Sequence, residues 1–501
     1  MATRFLTNHL RRYSTALNPF EEIPGPPGKG FPILGHSHLL LKKPHKFGKA
    51  WENVRALKKQ YLREGDKMLR MHSPLFNPPH GNILFIFDPQ LYQEMLTHEG
   101  KYPCRGPGFD PFIMMRKMRK DIYSETVGVL MEEGEKWHEM RSKVQQDLMR
   151  PKSAHFYIDE IQKVSDDFIE FIRQKRTHDN NIDNFLPDLY RYTFESICCI
   201  SLDTRLGCLQ LNMDPEIAKV FKASNDFLAS FPEFTSGVPT WKFLPPRWNK
   251  TFRTAQGNLD ILLDFSKIQV EDAIKRINKK ANEESDNDLS LLERMILRNG
   301  PESTFPIVMA IDLIFAGIDT TGNSLGLLLY HLAQNPEKQD KLREEFKSIG
   351  SNLTVKDLDK MKYFKGCLQE SFRLTPTLAI NGRVIPEDIE LDGYHIPAKT
   401  ACWHYHQLFG EDPEMFPEPK KFKPERWIEN KKDIHPMAVR SFSRGPRMCI
   451  GKRFAELELQ IATHRIISNF EVKWRGKDNM GVTQVLINVP DHQLDFQFND
   501  V

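Results

Sequence analysis

Ten residues near the C-terminal end, Phe442-Ser443-Arg444-Gly445-Pro446-Arg447-Met448-Cys449-Ile450-Gly451, restrict what this chain can become more than any other stretch. A single cysteine is framed by two glycines. Gly445 and Gly451 let backbone lie close to a flat cofactor where a side chain would collide, and Pro446 stiffens the approach. Beyond the cysteine, Ile450, Phe454, Leu457 and Ile461 recur at helical spacing. The sulfur is therefore expected at a helix N-terminus, whose partial positive charge favours thiolate over thiol. Arg447 adds a cation. An axial thiolate, backbone amides around the sulfur and a guanidinium for a propionate are what a haem requires of a protein. Cys367 and Cys402 have no such frame and read as small buried hydrophobes.

The 501-residue chain, 40% hydrophobic, is long enough for about three domains on length alone. Its seven cysteines are odd in number and show no CxxC spacing, which favours a reducing compartment over a disulfide framework. A net charge of +3 provides no global field for nucleic acid. No run reaches about 18 consecutive apolar residues. Residues 1–20 contain no acid, carry Arg4, Arg11 and Arg12, and place Phe5, Leu6 and Leu10 near one helical face, the composition of a mitochondrial transit peptide.

Ile23-Pro24-Gly25-Pro26-Pro27-Gly28 reads as a stiff extended lead-in, so the folded domain is expected over residues 21–501. No G-x-G-x-x-G follows a strand, and no flavin or nicotinamide site is evident, so electrons have to come from another protein. Ile83–Phe87 and Gly393–Pro397 alternate like strands, whereas most of residues 130–380 is helical in period. From Phe305 to Gln334 runs a long apolar helix. It is interrupted by Ala316-Gly317-Ile318-Asp319-Thr320-Thr321, where threonine hydroxyls compete for carbonyls and a local notch is expected. Asp319 on propensity alone could equally cap a new helical segment. Glu370 and Arg373 share a helix face, and Pro424-Glu425-Arg426-Trp427 follows.

These motifs, in this order and from Pro24 onward, resemble the cytochrome P-450 family. The resemblance implies a mainly α fold with small β-sheets, a single large helical domain around haem b with Cys449 as axial ligand. It implies that Asp319 and Thr320 relay protons for oxygen activation while Gly317 leaves room beside the ring. Phe442, Gly445 and Arg447 would line the cofactor, and Trp137, Arg141 and Arg383 would meet its propionates. Glu370, Arg373 and Arg426 would form a buried structural triad. Pro111–Ile122, Phe221–Phe231, Phe315, Ala316 and Thr377–Ile380 would line a mostly apolar distal pocket, suited to a steroid-like or xenobiotic substrate.

Finer motifs resemble the mitochondrial branch: Glu99-Gly100-Lys101-Tyr102-Pro103, Asp203-Thr204-Arg205-Leu206-Gly207-Cys208-Leu209, Ile396-Pro397-Ala398-Lys399-Thr400 and Ala455-Glu456-Leu457-Glu458. That branch implies dioxygen as co-substrate, electrons from an adrenodoxin-like ferredoxin reduced by ferredoxin reductase, and a place on the matrix side of the mitochondrial inner membrane with peripheral association. Lys365, Lys452 and Arg453 are the expected ferredoxin patch. Two departures stand out: Gln369 where a lysine is frequent, and Ser443 where glycine is frequent. The same haem could serve rearrangement of an oxygenated substrate or non-catalytic sensing; the intact acid–alcohol pair favours hydroxylation.

Overall fold

A helix apolar on all its faces has to be wrapped by protein, and Phe305–Ala333 is such a helix. The computed structural model describes residues 17–501 apart from 33, 41–46, 75, 78–79, 107, 236–240, 242–247, 282–288, 430 and 485. The transit segment expected over residues 1–20 lies outside these residues except for its last four. At about 1.5 Å per residue the central helix is about 44 Å long and crosses the molecule. Leu186–Leu202, Lys250–Ala281, Leu291–Asn299, Lys362–Leu374 and Lys452–Asn469 pack around it, the first most extensively. A window of this helix is long and apolar enough to cross a membrane, but 78% of it is buried inside the protein, as befits a core helix.

The expected notch is absent: the helix runs unbroken through Ala316–Thr321. Side chains stabilise its irregular sequence by taking up carbonyls. Thr320 Oγ1 donates to Ala316 O at 2.6 Å, Thr193 Oγ1 of the Leu186–Leu202 helix to Ile318 O at 2.9 Å, and Asn323 Nδ2 to Asp319 O at 2.7 Å. The hydroxyls do compete for carbonyls, but the added bonds do not break the helix. At Gly317 a Cβ would lie 2.9 Å from Ile197, so the missing side chain makes room for the neighbouring helix.

The sheets are small, as expected. The largest has the order Met68–His72, Asn82–Ile86, Ala401–Tyr405, Ile380–Val384, antiparallel at both ends and parallel in the middle, with Ile83 opposite Ala401. Alternation along Asn82–Ile86 sends Ile83 and Phe85 into the main core, and Leu84 and Ile86 into a second core with Phe20, Ile23, Tyr92 and Ile385. The proline-rich lead-in is strapped to this sheet by Arg70, whose backbone N–H donates to Pro24 O at 2.9 Å and whose Nη1 donates to Pro26 O at 3.1 Å.

Glu370, Arg373 and Arg426 meet in the interior. Arg373 donates to both Glu370 oxygens, at 2.9 and 2.7 Å, Arg426 Nε to Oε1 at 3.0 Å, and Trp427 Nε1 to Oε2 at 2.8 Å. The Lys423 backbone N–H adds a fifth bond at 2.9 Å. Arg373 also donates to Gly410 O and Pro419 O, each at 2.6 Å, and to Lys421 O at 3.1 Å. Burial pushes the Glu370 carboxyl up, but the Arg373 bonds and charge, the Lys423 N–H and Arg426 outweigh it and hold it below the usual range. The ion cluster is thus fully bonded, the condition under which buried charge is tolerated.

Glu370→Gln keeps the volume and removes the anion, leaving two buried guanidinium groups without a counter-charge. Stability should fall by about 3–5 kcal/mol, read by denaturant unfolding, with a matching loss of cofactor-loaded protein on expression.

Candidate functional site

The cysteine loop is closed by its own backbone. The Cys449 N–H donates to Phe442 O at 2.9 Å and the Met448 N–H to Gly445 O at 3.0 Å. Two residues take left-handed backbone, Ser443 at φ 60° and Gly445 at φ 79°. Glycine at 445 is required twice over, because a Cβ there would also lie 2.3 Å from Glu99 Oε1. The protein group that crowds Gly445 is therefore a carboxylate. A Cβ at Gly451 would meet no described residue within 4 Å, so the room lies on that side of the loop. Phe442 sets an edge against Phe372 at 5.8 Å and joins the loop to the triad helix.

The helix Lys452–Asn469 begins just after Gly451, so Cys449 sits ahead of its first turn, as expected. The consequence for the sulfur differs. Burial pushes the thiol up, while the Gly451 N–H, Arg141 and Arg105 pull it down without overcoming burial. A bound metal cation is what makes such a thiol a thiolate.

Four arginines gather around this loop. Arg383, on the strand Ile380–Val384 and 1% exposed, pairs through Nε with Glu99 at 2.5 Å and donates through Nη1 to Gly382 O at 2.8 Å and Asn381 Oδ1 at 3.1 Å. Asn381 Nδ2 in turn donates to Ser443 Oγ at 2.7 Å, which ties the strand to the cysteine loop. Arg447 lies 3.9 Å over the Trp137 ring, donates to Pro103 O at 2.8 Å and pairs with Glu133; its Nη1 has no partner. Arg141 donates to Met448 O at 2.8 Å and its Nε has no partner. Arg105 donates to Arg447 O at 3.3 Å.

Four guanidinium groups face two carboxylates, buried Glu99 and half-buried Glu133, leaving a surplus of two positive charges. Burial, partly offset by Glu133 and deepened by repulsion from Arg105 and Arg383, brings Arg447 down to about 9. Burial and Arg105 bring Arg141 down to about 10. Two surplus charges and two orphaned buried nitrogens fit the two propionates of a haem.

Sequence reasoning named Arg141, Arg383 and Arg447 as propionate partners, and the structure brings them together with Trp137 and Cys449. It also shows that Arg383 and Arg447 already hold carboxylates. Arg105 and the pairing roles of Glu99 and Glu133 were missed. The signal was adjacent: Arg105 follows the Glu99–Pro103 motif by two residues.

On the central helix, Ala316 is exposed and Gly317, Asp319 and Thr320 are half-buried in an otherwise buried stretch, so this face borders an accessible space. Asp319 and Thr320 follow it. Asp319 Oδ1 has no hydrogen-bond partner among the described residues, and burial raises the carboxyl to about 7. Thr320 gives its proton to Ala316 O, which leaves its lone pairs free to accept. Above this face Phe112 stacks on Phe231 at 5.2 Å and lies 5.1 Å from Phe227 and 6.1 Å from Phe315. These rings belong to segments expected to line the pocket. Thr377, also expected there, bonds Ser324 Oγ at 2.7 Å.

Among the expected docking residues, Lys365 and Arg453 are exposed, whereas Lys452 is half-buried and lies 3.6 Å from Glu456.

The family model described as Cytochrome P450 matches residues 24–495. The Drosophila melanogaster protein named probable cytochrome P450 12c1, mitochondrial, is 30% identical over 96% of this chain and 92% of its own length. Cytochrome P450 CYP12A2 of Musca domestica is 33% identical over 84% of this chain and 82% of its own. Sterol 26-hydroxylase, mitochondrial, of Homo sapiens is 30% identical over 81% and 78%.

A carboxyl near 7 is a proton donor below that pH and an anion above it. Turnover should therefore fall as pH rises through about 7. Asp319→Asn should flatten that inflection and slow turnover by about 10²-fold, as a pH series of kcat would record.

Proposed function

The chain belongs to the cytochrome P450 family, a family of haem-thiolate monooxygenases, and within it we propose a mitochondrial enzyme that hydroxylates an apolar small molecule with electrons from a ferredoxin. The observation that carries the reading is the surplus of two positive charges beside the framed Cys449. Cys449 would be the axial ligand. Arg105, Arg141, Arg383 and Arg447, the last braced on Trp137, would hold the propionates. The bound haem supplies the binding and reductive activation of dioxygen.

The chain's own residues supply the rest. Asp319 stores a proton on a carboxyl whose burial keeps it protonated near neutral pH. Thr320, its own proton held by Ala316 O, accepts hydrogen bonds toward the cavity and steadies what is to be protonated. The ring cluster of Phe112, Phe227, Phe231 and Phe315 keeps water away and prefers an apolar, steroid-like or xenobiotic substrate. A stored proton beside an acceptor hydroxyl serves oxygen reduction and has no use in an electron-neutral rearrangement or in sensing.

Relatives named mitochondrial support the address, and the acid-free, arginine-bearing residues 1–20 agree with a transit segment. Leu17, Phe31 and Leu34 are exposed near the start of the described chain and support peripheral contact with the inner membrane on its matrix side. Lys365, Lys452 and Arg453 lie on the helices that flank the triad and the cysteine loop, where a small acidic iron–sulfur protein would dock.

Two measurements test this reading. The reduced carbon monoxide complex should show the red-shifted Soret band of thiolate ligation, and Cys449→Ala should lose it; retention would assign the ligand elsewhere. Reductase-coupled ferredoxin should support dioxygen-dependent product formation that slows as salt rises above about 0.1 M, where the Debye length is about 10 Å. Lys365→Glu should raise the ferredoxin concentration needed for half-maximal rate with the haem spectrum unchanged.

A further inference from the structure

Arg116 is completely buried, and only one of its three guanidinium nitrogens is bonded. Nη1 donates to Asp312 Oδ1 at 2.5 Å and to Val127 O at 2.7 Å. Asp312 in turn accepts from the Leu130 N–H at 3.1 Å, so the pair latches the Val127–Leu130 loop to the central helix. The latch uses Nη1 alone. Nε and Nη2 have no partner among the described residues, and neither has the hydroxyl of Tyr123, whose ring lies 5.2 Å beneath the guanidinium. A buried donor left unpaired is destabilising, and here three atoms in one place share the condition. They are donors in search of an acceptor.

Their position relates them to the pocket. Arg116 lies one turn beyond Phe112 on the helix Asp110–Met118. Asp312 lies one turn before Phe315 and Ala316 on the central helix. Phe112 and Phe315 touch, 6.1 Å between ring centres, so the pair adjoins the aromatic cluster. Asp312 shares its helix face with Thr320, eight residues and about 12 Å further along.

Resting on the monooxygenase reading above, we propose that Arg116 and Tyr123 form a polar subsite that binds an uncharged oxygen acceptor, such as a ketone carbonyl, at the end of the pocket remote from Thr320. A carboxylate is the wrong ligand, because Asp312 already neutralises the guanidinium and a second anion would bury net negative charge. The substrate is thus an apolar body with a neutral oxygen at the end remote from attack.

Equilibrium dialysis of the haem-loaded protein with 2-undecanone, undecane and undecanoate tests the subsite without turnover. The ketone should bind about tenfold or more tighter than the hydrocarbon and tighter than the carboxylate. Tyr123→Phe should reduce the preference. Arg116→Met combined with Asp312→Leu, which replaces the ion pair by apolar side chains and so leaves no orphaned charge, should abolish it. Equal binding of ketone and hydrocarbon by the native protein, or a preference that survives the double replacement, overturns the subsite. Dioxygen-dependent turnover measured alongside separates that failure from failure of the monooxygenase reading.

Discussion

A carboxylate with five hydrogen bonds and almost no contact with water, Glu370, holds together two parts of the chain that are otherwise distant. Its helix belongs to the wrapping of the central helix, and its partners Lys423, Arg426 and Trp427 lie in an irregular stretch with little regular structure of its own. Loops lack ladders to fix them, so the 410–427 stretch takes its shape from what it is bonded to. Arg373 alone accounts for three of its carbonyls. Phe372, next to Arg373 in sequence, meets Phe442, so the cysteine loop rests on the same platform.

The second constraint is electrostatic. Four arginines packed against one loop repel one another, and burial removes the water that would screen them. Glu99 and Glu133 relieve half of the excess and also locate it: Glu99 fixes Arg383 while its oxygen fills the space beside Gly445, and Glu133 fixes Arg447 against Trp137. The remaining surplus of positive charge is thereby held in place around the loop. Ser443 has a part in this. A non-glycine residue at φ 60° is disfavoured, but its hydroxyl accepts the Asn381 amide and couples the loop to the strand that bears Arg383.

Much of this was legible in the sequence because it is local or written in residue type. The central helix followed from its long apolar pattern and the cysteine loop from its glycines and proline, whereas Glu370 and Arg373 at i, i+3 are an ordinary helix pair by themselves and the triad with Arg426 followed only from the family resemblance. What the sequence left open shares a cause. Gly317 and Gly445 announced close approach, but whether the approaching group is Ile197, Glu99 or a cofactor depends on partners remote in sequence. The notch expected at Ala316–Thr321 rests on local propensity, which the packing of the central helix against Leu186–Leu202 overrides. The Arg116–Asp312 pair was invisible for the same reason, since nearly two hundred residues separate its members.

The parallel pairing of Asn82–Ile86 with Ala401–Tyr405 joins strands more than three hundred residues apart. At about 5–20 residues per second of synthesis, the first strand waits about 15–60 s for its neighbour to exist. Until then it has only its antiparallel pairing with Met68–His72, and its apolar faces, Ile83 and Phe85 on one side and Leu84 and Ile86 on the other, lack the rest of the sheet. Non-local pairing of this kind makes assembly slow and late. The strand Ile380–Val384, which carries Arg383, pairs only with that same late strand within its sheet. The cradle for the cofactor therefore cannot close before the sheet does, and a nascent or newly imported chain has to be kept from aggregating until nearly all of it is present.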